Sequence, residues 1–243
     1  MPSPDPKREV VLDLRKPLEG KPPSFRTPLG FLPLEKETVD ELLKIGFIEP
    51  SMDENAASVL FAPKPHSEER RFCIDYRWIN QFLVSRQVLA PDVNGTIANC
   101  RNAKRMTKID IIRAFNRLLM HADSRYLTAF KICQGTFRWK VLPFGLKVGP
   151  AWWQAFINAQ LNELLDLFAS AYANDVLVYT DEDSDEAHFN QVEEVIYHLH
   201  SAELQGDIKK SRFNVQIVNY LGMIIEAGQG VRVDPEKVKV IID

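Results

Sequence analysis

The stretch Tyr172–Thr180, YANDVLVYT, constrains the fold more than any other part of the sequence. An aromatic residue, the pair Asn174–Asp175 and an apolar run ending in a polar residue are typical of two strands joined by a tight turn. The pattern predicts a β-hairpin with Asp175 at its tip. A lone carboxylate on a turn is ordinary. The stretch raises the question whether Asn174 stands where a second acid would be the neighbour of Asp175, and what the chain can do without that acid.

A second aspartate, Asp110, lies where another strand is predicted to end. Residues 104–120, KRMTKIDIIRAFNRLLM, are β-branched at the start and turn-like or helical after Asp110. Asp110 and Asp175 are therefore expected at the ends of neighbouring strands, where two carboxylates could share a metal ion. Two aspartates alone are weak evidence for such a site, because either one could simply cap a strand end.

The remaining periodicities predict helices and further hairpins. Helices are predicted over residues 34–47, 149–168 and 185–204, and hairpins over residues 57–80 and 126–146. This order predicts an α+β fold, with an antiparallel sheet and helices on one face. The Pro-rich residues 1–28 are predicted to form an extended N-terminal arm. Three histidines, at positions 188, 198 and 200, are predicted to lie on the surface of the last helix.

Composition narrows the class of protein. The chain of 243 residues is 45% hydrophobic, which suffices for a sizeable core, and no apolar run reaches the ~20 residues of a membrane span. The N-terminus carries no secretory signal pattern, and the three cysteines (Cys73, Cys100 and Cys133) suit neither a disulfide framework nor a zinc site. We therefore expect a chain in the cytoplasm or nucleus, without a membrane association.

Charge is distributed unevenly along the sequence. The net charge is −3, but residues 64–117 contain eleven Lys or Arg against five acids, whereas residues 163–207 contain twelve acids and no Lys or Arg. Such asymmetry could create one cationic face, which would attract nucleic acid, or only solvated surfaces without a partner. Charge alone leaves both interpretations open.

Several blocks, in order, resemble the reverse transcriptase of gypsy-type long-terminal-repeat retrotransposons, particularly fungal ones, from roughly Leu34 to Ile242. The blocks are RFCIDYRWIN (71–80), KIDIIRAFNRLLM (108–120), VLPFGLKVGPAWWQ (141–154), AYANDVLVYT (171–180), DIKKSRF (207–213) and YLGMIIEAGQGVRVDPEKV (220–238). In this resemblance AYANDVLVYT stands in the place of Tyr-x-Asp-Asp, and Asn174 replaces the first Asp.

The resemblance implies the fingers and palm subdomains of a polymerase right hand. The fingers would comprise residues 29–90 and 118–148, and the palm residues 91–117 and 149–243. The palm would carry the antiparallel sheet. No protease, ribonuclease H or integrase pattern is present, and the thumb is expected to be missing or vestigial.

The resemblance also implies a catalytic centre in the palm. Asp110, the main-chain carbonyl of Ile111, and Asp175 would bind Mg²⁺, with Mn²⁺ as a possible substitute. Asn174 is nearly isosteric with the Asp that it replaces, but it is neutral and offers a single carbonyl oxygen, so metal binding would be weakened. Lys210 matches a basic residue proposed to protonate the leaving pyrophosphate, or it is a solvated surface lysine.

Other residues would contact the nucleotide or the primer. Arg71 matches the fingers arginine that reaches the triphosphate, and Lys64 is a less certain partner because its loop is altered to APKPHSEE. Phe115 matches the aromatic residue that excludes a ribose 2′-hydroxyl, although core packing would also explain it. Phe144 and Gly145 would line the nucleotide and template pocket. Tyr220, Leu221 and Gly222 resemble a primer-positioning hairpin, or form an ordinary strand pair.

Two functions remain open at the level of the sequence. The first is an RNA-directed DNA polymerase, acting on an RNA or DNA template-primer and deoxynucleoside triphosphates, and impaired or inactivated by Asn174. The second is a domesticated, non-catalytic module with the same fold that binds nucleic acid, another protein or a second copy of itself. The altered YAND motif and the altered loop at Lys64 favour the second.

Overall fold

The structure is a computed structural model that describes residues 1–63, 70–88 and 93–233. The strands are β1 (Glu9–Val10), β2 (Ile48–Pro50), β3 (Ala57–Pro63), β4 (Arg70–Ile74), β5 (Arg105–Asp110), β6 (Leu119–Met120), β7 (Phe130–Ile132), β8 (Gly135–Trp139), β9 (Ala169–Tyr172), β10 (Asp175–Thr180), β11 (Arg212–Val215), β12 (Ile217–Tyr220), β13 (Met223–Glu226) and β14 (Gly230–Val233). The α-helices are α1 (Leu32–Lys44), α2 (Arg77–Asn80), α3 (Val93–Cys100), α4 (Gly149–Gln160) and α5 (Asp185–Ser201). The mixture confirms the predicted α+β class.

The chain divides into two compact units. Unit 1 contains Met1–Gln87 and Phe115–Trp152, and unit 2 contains Val88–Ala114 and Trp153–Asp243.

Unit 1 is built on a five-stranded sheet with the strand order β2-β8-β7-β3-β4. The predicted hairpins are present as the antiparallel pairs β3–β4 and β7–β8, whereas β3 and β7 run parallel. The tip of the first hairpin, at residues 64–69, lies outside the described residues. The N-terminal arm is extended but packed: β1 pairs with β6, and Val10 and Leu12 are buried because their apolar side chains join the core of the unit.

Unit 2 is built on an antiparallel four-stranded sheet with the order β11-β5-β10-β9. The predicted hairpin is present, but its tip is the two-residue turn Ala173–Asn174, where Ala173 has a positive φ of 50°, and not Asp175, which is the first residue of β10. Alternation along β10 directs Val176 and Val178 to one face and Leu177 and Tyr179 to the other. Both sets are buried, so the sheet is covered on both faces.

Helix α5 covers one face of this sheet. Ser184 caps its N-terminus by accepting a hydrogen bond from the Ala187 N–H, and acids fill its first turn, where they complement the helix dipole. The surface prediction for His188 was wrong. This residue is buried, and its ring nitrogens lie 2.8 Å from Thr107 Oγ1 and 2.6 Å from Thr180 Oγ1. Burial lowers the pKa of His188, so it serves as a neutral link between α5 and the sheet.

The opposite face of the sheet packs against the antiparallel sheet β12-β13-β14. Met106, Leu177 and Tyr179 from the four-stranded sheet form a buried cluster with Val218, Tyr220 and Ile225 from the smaller sheet and Cys100 from the end of α3. The cluster fixes the β12–β13 hairpin against the strands that carry Asp110 and Asp175. This packing positions the candidate site.

Candidate active site in unit 2

The pairing of β5 with β10 brings Asp110 and Asp175 together. The two residues are direct partners in the antiparallel register, at the last position of β5 and the first position of β10. Side chains of directly opposed residues lie on the same face, with Cβ atoms about 4.5–5.5 Å apart. The two carboxylates therefore share one face and one end of the sheet, although 65 positions separate them in the sequence.

Asn174 lies on the turn beside this pair. Its backbone carbonyl accepts a hydrogen bond of 2.8 Å from the Ile111 N–H, which ties the turn to the chain just after Asp110. Ile111 is itself buried, and it pairs with Gly206. The side-chain oxygen of Asn174 is buried and has no hydrogen-bond donor among the described residues. A buried carbonyl oxygen without a donor is costly, so this atom is available to a cation or a water molecule.

Two lysines interact with the aspartates. Lys108 Nζ lies 2.9 Å from Asp175 Oδ2, and it donates a hydrogen bond of 3.0 Å to the backbone carbonyl of Asn219. Lys210 Nζ is 3.8 Å from Asp110 Oδ1 and 3.3 Å from Asp207 Oδ2. The side chain of Lys108 is 19% exposed, whereas that of Lys210 is 68% exposed. Lys108 is therefore a fixed part of the site, and Lys210 is a looser, solvated partner.

Asp110 lies in an environment that disfavours its charged form. Burial raises the pKa of the Asp110 carboxyl; the Lys210 ammonium group opposes this shift, and the negative charges of Asp175 and Asp207 add to it. A carboxylate that is desolvated and close to other acids would gain from a bound cation. The structure thus concentrates negative charge here and compensates it only in part.

The oxygen ligands of this site suit a hard divalent ion, but a third charged ligand is missing among the described residues. Carboxylate and amide oxygens are the ligands that Mg²⁺ prefers, and Asn174, next to Asp175 in the sequence, carries an amide oxygen with no donor among the described residues. However, no group of three His, Cys, Asp or Glu side chains that could hold a metal ion is found among residues 1–63, 70–88 and 93–233. The arrangement fits one divalent ion better than a pair of ions.

The hairpin formed by β12 and β13 contains Tyr220, Leu221 and Gly222. Tyr220 is buried in the core cluster, where its hydroxyl group is 2.9 Å from Ser170 Oγ, so its side chain is structural. Leu221 and Gly222 form the turn with φ values of 54° and 77°. Positive φ at both central residues is the geometry of a type I′ turn, which matches the twist of the strands.

Unit 1 contains the residues predicted to contact the nucleotide. The rings of Phe115 and Phe144 lie 4.8 Å apart, and Phe144 is 57% exposed. Gly145 has a φ of 98°, and a Cβ there would lie 3.3 Å from the Tyr76 ring, so a larger residue would be strained and crowded. Arg71 is exposed on β4, and Lys64 lies outside the described residues.

Sequence reasoning missed the residue that holds the Phe144–Gly145 loop. Asn80 Nδ2 donates to the Gly145 carbonyl at 2.8 Å, and Asn80 Oδ1 accepts from the Lys147 N–H at 2.9 Å. Asn80 ends the block RFCIDYRWIN, so the block itself pointed to it. Asp75 and Arg77 form an ion pair, with bidentate contacts of 2.8 and 2.7 Å. Lys108 was also missed, because its partners Asp175 and Asn219 are distant in the sequence.

Comparison with known proteins gives a consistent result. A family profile described as "Reverse transcriptase (RNA-dependent DNA polymerase)" matches residues 62–225. The Pol polyprotein from transposon opus of Drosophila melanogaster is 31% identical over 239 residues, which are 97% of this chain and 23% of the polyprotein. The Pol polyprotein from transposon gypsy of the same species is 27% identical over 223 residues, which are 90% of this chain and 21% of the polyprotein. The chain thus spans less than a quarter of either relative.

Solved structures show the same fold. A foamy viral protease-reverse transcriptase in complex with an RNA/DNA hybrid matches with a TM-score of 0.78 at 22% identity, over 96% of this chain and 32% of that one. The same viral protein in complex with double-stranded DNA matches with a TM-score of 0.78 at 24% identity, over 94% of this chain and 46% of that one.

Among the described residues, no helix is both long and apolar enough to cross a membrane.

Proposed function

The chain belongs to the reverse transcriptase family, with relatives among gypsy-type retrotransposons, and from that premise we propose that it is the fingers–palm part of an RNA-directed DNA polymerase whose catalysis is impaired or abolished by Asn174. Unit 1 would act as the fingers and unit 2 as the palm. The observation that carries the proposal is the register of β5 with β10, which opposes Asp110 to Asp175 with Asn174 on the adjoining turn.

Asp110, Asp175 and the unpartnered side-chain oxygen of Asn174 would hold Mg²⁺ or Mn²⁺. When bound, a divalent ion supplies a Lewis acid that stabilises negative charge on phosphate oxygens. The Ile111 N–H holds the turn through the Asn174 carbonyl, so the ligands are positioned by backbone contacts and not by the metal alone. An amide in place of a carboxylate removes one negative charge, and an activation barrier raised by roughly 3–5 kcal/mol lowers the rate roughly 100- to 10,000-fold.

The substrates would be an RNA or DNA template-primer and deoxynucleoside triphosphates. Phe115 would pack beside the sugar of the nucleotide, with its ring held against Phe144. Arg71, exposed on β4, offers a planar guanidinium group suited to phosphate oxygens. Lys210 is exposed to solvent and would approach a leaving phosphate, and the Leu221–Gly222 turn would contact the primer.

Primer extension tests this function. The purified chain and its Asn174→Asp variant would be compared on RNA and DNA templates, in Mg²⁺ and in Mn²⁺. We expect little or no synthesis by the chain itself and a gain of roughly 100-fold or more in the variant. The doubly substituted control, Asn174→Asp with Asp110→Asn, should be inactive. Failure of Asn174→Asp to extend a primer in either metal would contradict the polymerase assignment.

A second candidate, a non-catalytic binding module of the same fold, is favoured by one observation. The ammonium groups of Lys108 and Lys210 already engage Asp175 and Asp110, which reduces the need of the site for a metal. Such a module would bind nucleic acid, another protein or a second copy of this chain. Affinity for an RNA/DNA hybrid, measured at several salt concentrations, separates these cases, because phosphate contacts give a steep loss of affinity with added salt.

A further inference from the structure

Lys108 occupies a position that differs from that of an ordinary surface lysine. It lies two residues before Asp110 on β5, so the two side chains share one face of the sheet. Its ammonium group bridges Asp175 Oδ2 and the Asn219 carbonyl at 2.9 and 3.0 Å. Both distances are those of good charge-assisted hydrogen bonds, and the side chain is mostly buried.

The two partners of Lys108 belong to different elements. Asp175 begins β10, beside the turn that carries Asn174, and Asn219 lies on β12, one residue before Tyr220 and the Leu221–Gly222 turn. A single ammonium group thus connects the strand with the proposed metal ligand to the strand that leads into the primer hairpin. Lys210 makes no comparable link, since it is exposed and its contacts are longer.

The charge of Lys108 has a direct consequence for a dication. Three carboxylates (Asp110, Asp175 and Asp207) share two ammonium groups (Lys108 and Lys210), so part of the negative charge that a dication would meet is already offset. A divalent ion that binds Asp175 must share it with Lys108 or displace Lys108, and it meets the repulsion of a nearby positive charge. Displacing Lys108 would also release its bond to Asn219.

We propose that Lys108 is a positioning residue and an internal counter-ion of Asp175. Its ammonium group links Asp175 to the β12–β13 hairpin through the Asn219 carbonyl. The same positive charge lowers the affinity of the site for divalent ions. The inference rests on the metal site of the proposed function. It adds a second cause of weak metal binding: the ammonium group of Lys108 competes with the metal, and the amide of Asn174 supplies no negative charge.

Metal affinity provides the first test, with a readout that requires no catalysis. Binding of Mn²⁺ would be followed by electron paramagnetic resonance for the chain, Lys108→Met, Lys108→Gln and Lys104→Met. Methionine retains the apolar length of the side chain without its charge, and Lys104 is an exposed lysine just before β5 that serves as a matched control. We expect roughly 10- to 100-fold tighter binding in both Lys108 variants and a change of less than about twofold in Lys104→Met. Equal or weaker binding in the Lys108 variants overturns the proposal.

The second test works without metal, so it distinguishes failure of this inference from failure of the proposed function. Amide exchange of residues 217–226 would be measured in metal-free protein by mass spectrometry. Lys108→Met should speed exchange about threefold or more, because the bond to Asn219 is lost, whereas Lys108→Gln, which retains a donor, should change it less. Lys104→Met should leave it unchanged. If neither the chain nor any variant binds Mn²⁺ but Lys108→Met still speeds exchange, the Lys108–Asn219 link is supported and the proposed metal site is wrong. If exchange is unchanged as well, Lys108 has no positioning role.

Discussion

Two regions of this protein each contain a key aspartate and asparagine, but the hydrogen bonding of these residues differs between the regions. In unit 1, Asp75 receives a bidentate contact from Arg77, and both ends of the Asn80 amide are hydrogen-bonded. In unit 2, Asp110 faces other acids, and the side-chain oxygen of Asn174 has no donor among the described residues. The pKa values agree: the Arg77 hydrogen bond lowers that of Asp75, whereas burial raises that of Asp110.

The difference separates groups that maintain the fold from groups that await a ligand. A protein satisfies a structural carboxylate or amide with its own donors, because an unpaired buried polar group costs free energy. It leaves such a group incomplete where something else completes it. By this criterion, the block around Asp75 and Asn80 is structural, and the block around Asp110 and Asn174 is the one that we propose as the metal site.

The largest expected effect concerns Asp110. In the Asn174→Asp background, Asp110→Asn should reduce primer extension roughly 1,000-fold or more and remove any stabilisation by Mg²⁺, because a charged ligand is lost. Melting temperatures with Mg²⁺ and with a chelator provide the second readout. A variant that retained stabilisation by Mg²⁺ would place the metal elsewhere.

The same substitution at the two asparagines sharpens the contrast. Asn80→Asp should destabilise the protein by about 2 kcal/mol, because it replaces the donor to the Gly145 carbonyl with an oxygen that repels it. Asn174→Asp should leave metal-free stability unchanged or slightly lower, through repulsion among the acids, and should gain stability with Mg²⁺. Denaturant unfolding of both variants measures the difference. Equal losses in the absence of metal would mean that both amides are structural.

Removing the partner of Asp75 should have a smaller effect. Arg77→Met would leave a buried carboxylate with one backbone contact, but Arg77 is itself solvent-exposed, so the pair is screened. We expect a loss of unfolding free energy smaller than that of Asn80→Asp, with metal binding unaffected. Arg71→Met, on the exposed side of β4, is the matched control and should be neutral for stability. A loss of Mn²⁺ binding in Arg77→Met would break the division between the structural block and the proposed metal site.

The smallest effect is a pH dependence of opposite sign at the two aspartates. The raised pKa of Asp110 means that the folded state binds the proton more tightly, so its contribution to stability is present at low pH and is lost as pH rises through the folded pKa. The lowered pKa of Asp75 contributes stability at neutral pH that is lost as pH falls through its folded pKa. Relative to the parent chain, metal-free melts should therefore show Asp110→Asn becoming more stable, and Asp75→Asn less stable, as pH rises through the acidic range. Parallel shifts would contradict the assignment.

Local patterns in the sequence determined the secondary structure and the identity of the principal aspartates. Alternation in YANDVLVYT predicted the β9–β10 hairpin, apolar spacing predicted α5, and the position of Asp110 after a β-branched run placed it at a strand end. These features depend on neighbours within a few residues, and strand and helix periods encode such neighbours directly.

The tertiary structure decided which polar side chains have hydrogen-bond or ion-pair partners. Burial of His188 between α5 and the sheet contradicted its prediction as a surface residue, because His188 lies on the buried face of α5. Only the packed sheet supplies the hydroxyl groups of Thr107 and Thr180 that satisfy its ring. The contact of Lys108 with Asn219 spans 111 residues and requires the register of β5 and the packing of β12 to be known. The unpartnered oxygen of Asn174 is likewise a property of its surroundings. Charge and hydrogen-bond balance depend on every element packed around a group, and a sequence pattern reports only the group itself.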